Sequence, residues 1–155
     1  MNWEAYAAFK EQLGWKPDPA EKAPGPVLGL KVIGNLAYIS GHVPFSGGEL
    51  KYPGRIGAEV SIEDGKKSAA LSTINCLDTF DRAIGLNKLE SVVKVTGYLC
   101  CTDDVTAQPS IMNGGSEVLV GVFGEAGRHA RAALGIHTLP LGASTEVEMI
   151  VSIKA

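Results

Sequence analysis

At 155 residues and 45% apolar content, the chain has the length of one ordinary domain and enough apolar side chains for a real core. Its net charge of -3 gives no broad electrostatic footprint for a phosphate backbone, which disfavours nucleic acid as a main partner. No uncharged apolar run reaches the ~18 residues that a membrane span requires, and Glu4 sits among aromatics where a signal peptide has a basic start, so a cytoplasmic protein is expected.

Trp3, Tyr6, Phe9 and Leu13 recur at helical spacing, and Gly14 is a plausible stop. Lys16 to Pro26 carries four prolines and reads as an extended connector. Val27–Ile33 and Leu36–Val43 are apolar runs around Gly34-Asn35, the signature of a hairpin with a two-residue turn. Phe45 to Arg55 holds Gly47-Gly48, Pro53 and Gly54, so a loop is expected there, with a short strand around 49–52. Its glycines match no phosphate-loop spacing.

Ser61 followed by Asp64 resembles a capping box, and Ala70, Ile74, Leu77, Phe80 and Ile84 make an apolar stripe, which predicts a helix over 61–84. Ser91 to Thr102 is rich in Val, Tyr, Leu and Cys and reads as a central strand covered on both faces. Asp103-Asp104 reads as a loop and helix-capping pair. Gln108-Pro109 opens a second helix whose propensity Asn113-Gly114-Gly115 weakens. The order strand, strand, helix, strand, helix, strand, strand is α+β, with both long helices placed on one face of a single mixed sheet. The other face then needs covering, and self-association is the natural remedy.

Gly127 to Glu148 carries the chemistry. Arg131 lies in the apolar run Ala130–Ile136, where an arginine must reach solvent along its stem or meet an anion. Thr138 to Gly142 reads as a turn and Thr145–Ile153 as a strand with Glu146 and Glu148 on one face; a hairpin would return Glu146 towards Arg131. Such a pair serves structure as readily as function. Cys76, Cys100 and Cys101 lack metal-like spacing and read as small buried residues. His42, His129 and His137 are too scattered for a metal cluster, and His129 is retained only as a neighbour of the site.

Two blocks, Gly34 to Pro44 (GNLAYISGHVP) and Ala130 to Glu148 (ARAALGIHTLPLGASTEVE), together with Gly25-Pro26 and Asn113, resemble the RidA/YjgF family, also labelled Rid or L-PSP endoribonuclease. The resemblance covers the chain from about Gly25 onward. It implies a single chorismate-mutase-like domain over 1–155, in which 1–24 supply an N-terminal helix and proline-rich connector and 25–155 the core. It further implies a homotrimer with clefts between subunits, no metal and no organic cofactor. The implied activity is hydrolysis of small 2-imino or enamine acids to 2-keto acids and ammonia. Arg131 would bind the substrate carboxylate, Glu146 would position the attacking water, and Ser40 and Asn113 would line or support the cleft.

The chain departs from the family pattern at Val27, Ala133 and Gly135, where an aromatic, a cysteine and a glutamate are common, and around Ser116, where an aromatic is usual. Val27 and Ala133 would border the substrate. The alternative expectation is therefore a non-catalytic or regulatory trimer that binds small carboxylates through the same arginine.

Overall fold

A computed structural model describes residues 1–19 and 25–155. Part of the expected connector, 20–24, lies outside the described residues. Helix α1 spans Trp3–Gln12; the Asn2 side chain accepts from the Ala5 N–H at 3.0 Å and Gly14 follows with φ +60°. The backbone N–H of Asn2 donates to Val122, docking α1 on the second long helix.

Strands β1 (Leu30–Ile33) and β2 (Leu36–His42) form the expected hairpin, closing with Ile33 opposite Leu36. The loop that follows folds into a further small hairpin, β3 (Phe45–Ser46) with β4 (Glu49–Leu50), because Gly47 and Gly48 both take positive φ as the tight turn requires.

Helix α2 (Ile62–Ala83) starts at Ser61, whose hydroxyl accepts from the Asp64 N–H at 3.0 Å. Strand β5 is Leu89–Cys100, helix α3 is Gln108–Phe123, and strands β6 and β7 are Ala130–Ile136 and Thr145–Ile153. The sheet order is β1-β2-β7-β5-β6, with β6 parallel to β5 and the other neighbours antiparallel. Helices α2 and α3 cover one face, where Leu77, Phe80, Val95, Leu119, Met149 and Val151 are buried together. Buried hydroxyls fix the start of β7 against α2: Ser68 lies 2.8 Å from Ser144 and 2.7 Å from Thr145, and Ser72 lies 2.9 Å from Thr145.

The glycines that weaken α3 as an isolated helix let it pack. A Cβ at Gly114 would collide with the Lys66 carbonyl of α2, and one at Gly115 with the Thr73 hydroxyl.

Three expectations are corrected. Strand β5 is covered on one face only: Val92, Val95 and Leu99 are buried, whereas Glu90, Val93, Lys94, Thr96 and Tyr98 lie half-buried or exposed on the other. Asp103-Asp104 do not cap α3, because the residue at its N-cap is Ala107, without a side-chain bond. Strands β6 and β7 form no hairpin, since the α3 crossover returns β6 parallel to β5 at the sheet edge and β7 inserts between β5 and β2.

The helix-free face carries exposed Ile33, Tyr38, Val93 and Leu134. Cys76, Cys100 and Cys101 are free and buried. Among the described residues no helix is long and apolar enough to cross a membrane, and no group of three or more His, Cys, Asp or Glu is placed to hold a metal ion.

Candidate functional site

Arg131 pairs in register with Val95, so its side chain leaves β6 on the helix-bearing face at the open edge of the sheet. There it meets one stripe of α3. Its Nη1 donates to Asn113 Oδ1 at 2.9 Å and to Ser116 Oγ at 3.1 Å, and its Nη2 donates to the Pro109 carbonyl at 3.1 Å. Residues 109, 113 and 116 are four and three apart, the spacing that lines up side chains on one helical face.

All three acceptors are neutral, and no carboxylate pairs with Arg131 among the described residues. A guanidinium has five N–H donors. Three are spent here, leaving Nε–H and one Nη2–H, and the whole positive charge, for an anion.

Ser116 and His129, which the sequence pattern did not pair, complete this cluster. His129 Nε2 lies 3.0 Å from Ser116 Oγ and its Nδ1 lies 2.6 Å from the Gly127 carbonyl. Burial, opposed by the Gly127 contact and aided by the charge of Arg131, holds the imidazole pKa below its ordinary value.

Ala133, two residues beyond Arg131 on the same face, packs at the margin of the core. Gly135 borders a cleft of about 270 Å³ that it shares with Arg55, Cys101, Gln108 and His137.

The remaining expected residues lie elsewhere. Glu146 pairs with Tyr98 and points from the helix-free face. Burial first, then the neighbouring Glu148, raise its carboxyl pKa. A Cβ at Gly41 would run into its carboxylate, so the glycine makes room for it. Tyr98 donates its hydroxyl to Glu148 at 3.1 Å beside it.

Ser40 sits in the irregular stretch of β2 between Ile39 and His42, donating Oγ–H to the Leu28 carbonyl at 2.6 Å and its N–H to Gly29 at 2.9 Å. It thereby ties down the segment that leaves Val27 75% exposed. Within one chain, then, Arg131, Asn113 and Ala133 share one locality, and Glu146, Ser40 and Val27 do not join them. The expected hairpin approach of Glu146 to Arg131 is replaced by a separation of two strand spacings and three residues, about 14 Å between Cα atoms.

A family model described as YjgF/chorismate mutase-like, putative endoribonuclease, matches residues 20–152. The chain belongs to that family. Protein TCP17 of Trypanosoma cruzi is 31% identical over 96% of this chain and 94% of its own. A crystal structure of a protein of unknown function from Agrobacterium tumefaciens superposes with a TM-score of 0.86 at 30% identity, covering 98% of this chain and 94% of that one. RidA from the Antarctic bacterium Psychrobacter sp. superposes with a TM-score of 0.60 at 28% identity, covering 90% and 98% respectively. Within this YjgF-like fold the edge strand β6 and helix α3 together present the arginine.

Proposed function

We propose that the protein hydrolyses small reactive 2-imino or enamine acids to 2-keto acids and ammonia in the cytoplasm, holding the substrate carboxylate on Arg131. The observation that carries this reading is the uncompensated guanidinium, fixed by Pro109, Asn113 and Ser116 with donors to spare. A planar fork with two free N–H groups orients an α-carboxylate in a way a lysine cannot. Once the acid is held, the iminium carbon is electrophilic enough that a positioned water suffices, so no metal or organic cofactor is invoked.

The site belongs at a boundary between subunits of a homotrimer. Two features support this: a helix-free sheet face that leaves Ile33, Tyr38, Val93 and Leu134 exposed without a covering layer, and a Glu146 carboxylate that is too far from Arg131 in its own chain to serve the same substrate. A second copy would bring Glu146, Ser40 and Val27 to the arginine of the first.

A second reading, a trimer that binds small carboxylates without turnover, is favoured by Ala133 and Gly135, which leave the strand beside Arg131 without side chains able to exchange protons. Ribonuclease action has the least support, because the chain is acidic overall and His129 is directed at Ser116 rather than at a second histidine.

The test is to generate 2-iminopropanoate in situ with an amino-acid oxidase and follow its loss with and without the protein. Acceleration that drops on the order of 100-fold or more in Arg131→Ala is expected. Absence of acceleration with saturable binding of 2-keto acids would leave the binding reading in its place.

A further inference from the structure

The hydrogen bonds around His129 can be assigned in one direction only. The Gly127 carbonyl can only accept, so the 2.6 Å contact places the imidazole proton on Nδ1. With the pKa held below 6.5 by burial, Nε2 is bare near neutral pH. Ser116 must then donate to it across 3.0 Å, and its oxygen in turn accepts the Arg131 Nη1–H across 3.1 Å.

A mid-helix hydroxyl ordinarily bonds the carbonyl one turn back. Thr73 of α2 does so, donating to Ala69 at 2.9 Å, whereas Ser116 spends its proton on a base. A hydroxyl with an imidazole drawing off its proton and a guanidinium stabilising its negative charge is set up to transfer protons.

We propose that Ser116 and His129 form the proton relay of this site, an inference that rests on the imine-hydrolysis reading. The water oxygen bonds to the iminium carbon and the C=N π pair moves to nitrogen. The water's surplus proton passes to Ser116 Oγ as the serine's own proton passes to His129 Nε2. The relay then runs backwards and protonates the amino nitrogen. The C–N bond breaks as the hydroxyl electrons close the new C=O bond, and the hydroxyl proton leaves with ammonia as ammonium. Ser116 touches the reacting water, and His129 acts through it as a positioning and proton-storing residue. Protonated His129 would donate to Ser116, turning the serine proton outward towards the leaving nitrogen.

Few other charges bear on the imidazole. Arg131 acts on it from β6; Glu125 and Arg128 on the preceding turn pair with each other at 3.4 Å in solvent; Glu117 of α3 is exposed; Asn113 is neutral.

The experiment measures kcat and KM for 2-iminopropanoate on the full chain between about pH 5 and 9, with pyruvate affinity by calorimetry as an independent report on Arg131. Wild type should lose kcat on an acid limb whose midpoint lies below 6.5. His129→Gln and Ser116→Ala should each lower kcat about 100-fold, abolish that limb and leave pyruvate affinity within about threefold. Ser116→Thr should restore most of the rate. An active wild type whose variants keep kcat and the acid limb would overturn the relay while leaving deamination standing. Variants that lose pyruvate binding in step with kcat would also overturn it, by assigning the pair to the structure of the clamp. An inactive wild type would overturn both readings.

Discussion

Arg131 and Glu146 point from opposite faces of one sheet, with β5 between their strands. If both serve one substrate, they must come from different chains. Separately purified Arg131→Ala and Glu146→Ala proteins should each be nearly inactive, and subunits mixed by gentle dissociation and reassociation should recover part of the wild-type rate, because some clefts regain both side chains. Recovery is read in the imine assay, alongside the mass in solution. A stable monomer, or a mixture no more active than its parts, would rule out the shared cleft.

The neutrality of the shell around Arg131 is open to direct attack. Asn113→Asp keeps the size and the 2.9 Å contact but supplies the carboxylate that the arginine lacks. A bound 2-keto acid must then compete with an internal anion, and pyruvate affinity should fall about tenfold, equivalent to about 1.4 kcal/mol. Asn113→Ala, which removes one tether without adding charge, should weaken binding less. Calorimetric titration of both variants gives the comparison; equal affinities in Asn113→Asp and wild type would show that the guanidinium charge is not what ligands meet.

The fold was legible in the sequence wherever one residue type answers to one local requirement. Ser61 starts α2, Gly34 turns the first hairpin, and the stripe from Ala70 to Phe80 packs on the sheet. The tertiary arrangement of β6 and β7 was not legible, because a turn such as 138–142 fits a hairpin and a jump across the sheet equally well. What decides is the crossover through α3, which makes β6 parallel to β5 and leaves the central slot to β7.

The pairing of Ser116 with His129 was no more legible in the sequence, because it too depends on tertiary packing. They are 13 residues apart, one on helix α3 and the other just before strand β6, and only the packing of α3 on β6 brings them together. A signal was present: residues 109, 113 and 116 share the stripe of α3 that faces the strand carrying Arg131, and His129 is two residues before that arginine.

The contact between Gly115 and Thr73 predicts a stability effect opposite in sign to helix propensity. In an exposed helix, Gly→Ala gains about 1 kcal/mol. Here the new methyl group would meet the Thr73 hydroxyl, with the Ala69 carbonyl and the end of Met112 close by. Overpacking should dominate, and Gly115→Ala should lower the unfolding free energy by about 1–3 kcal/mol, read by chemical denaturation. A stabilised variant would mean that α2 and α3 are not so tightly apposed.

His42 sets a limit on stability in acid. Its Nε2 lies 3.0 Å from Thr79 Oγ1, and burial lowers its pKa despite the opposing influence of Asp18. The folded state therefore favours the neutral ring, while the unfolded chain titrates near 6.5. The unfolded state takes up its proton first as the pH falls, so the stabilisation present above 6.5 drains away from there down to the folded pKa. One such group steepens the loss by at most about 1.4 kcal/mol per pH unit. His129 is lowered in the same direction and adds its own loss, so wild type is compared with His42→Gln, in which His129 is unchanged. The unfolding free energies of the two proteins, measured across this window, should converge as the medium is acidified. Parallel curves would show that the ring titrates alike in both states.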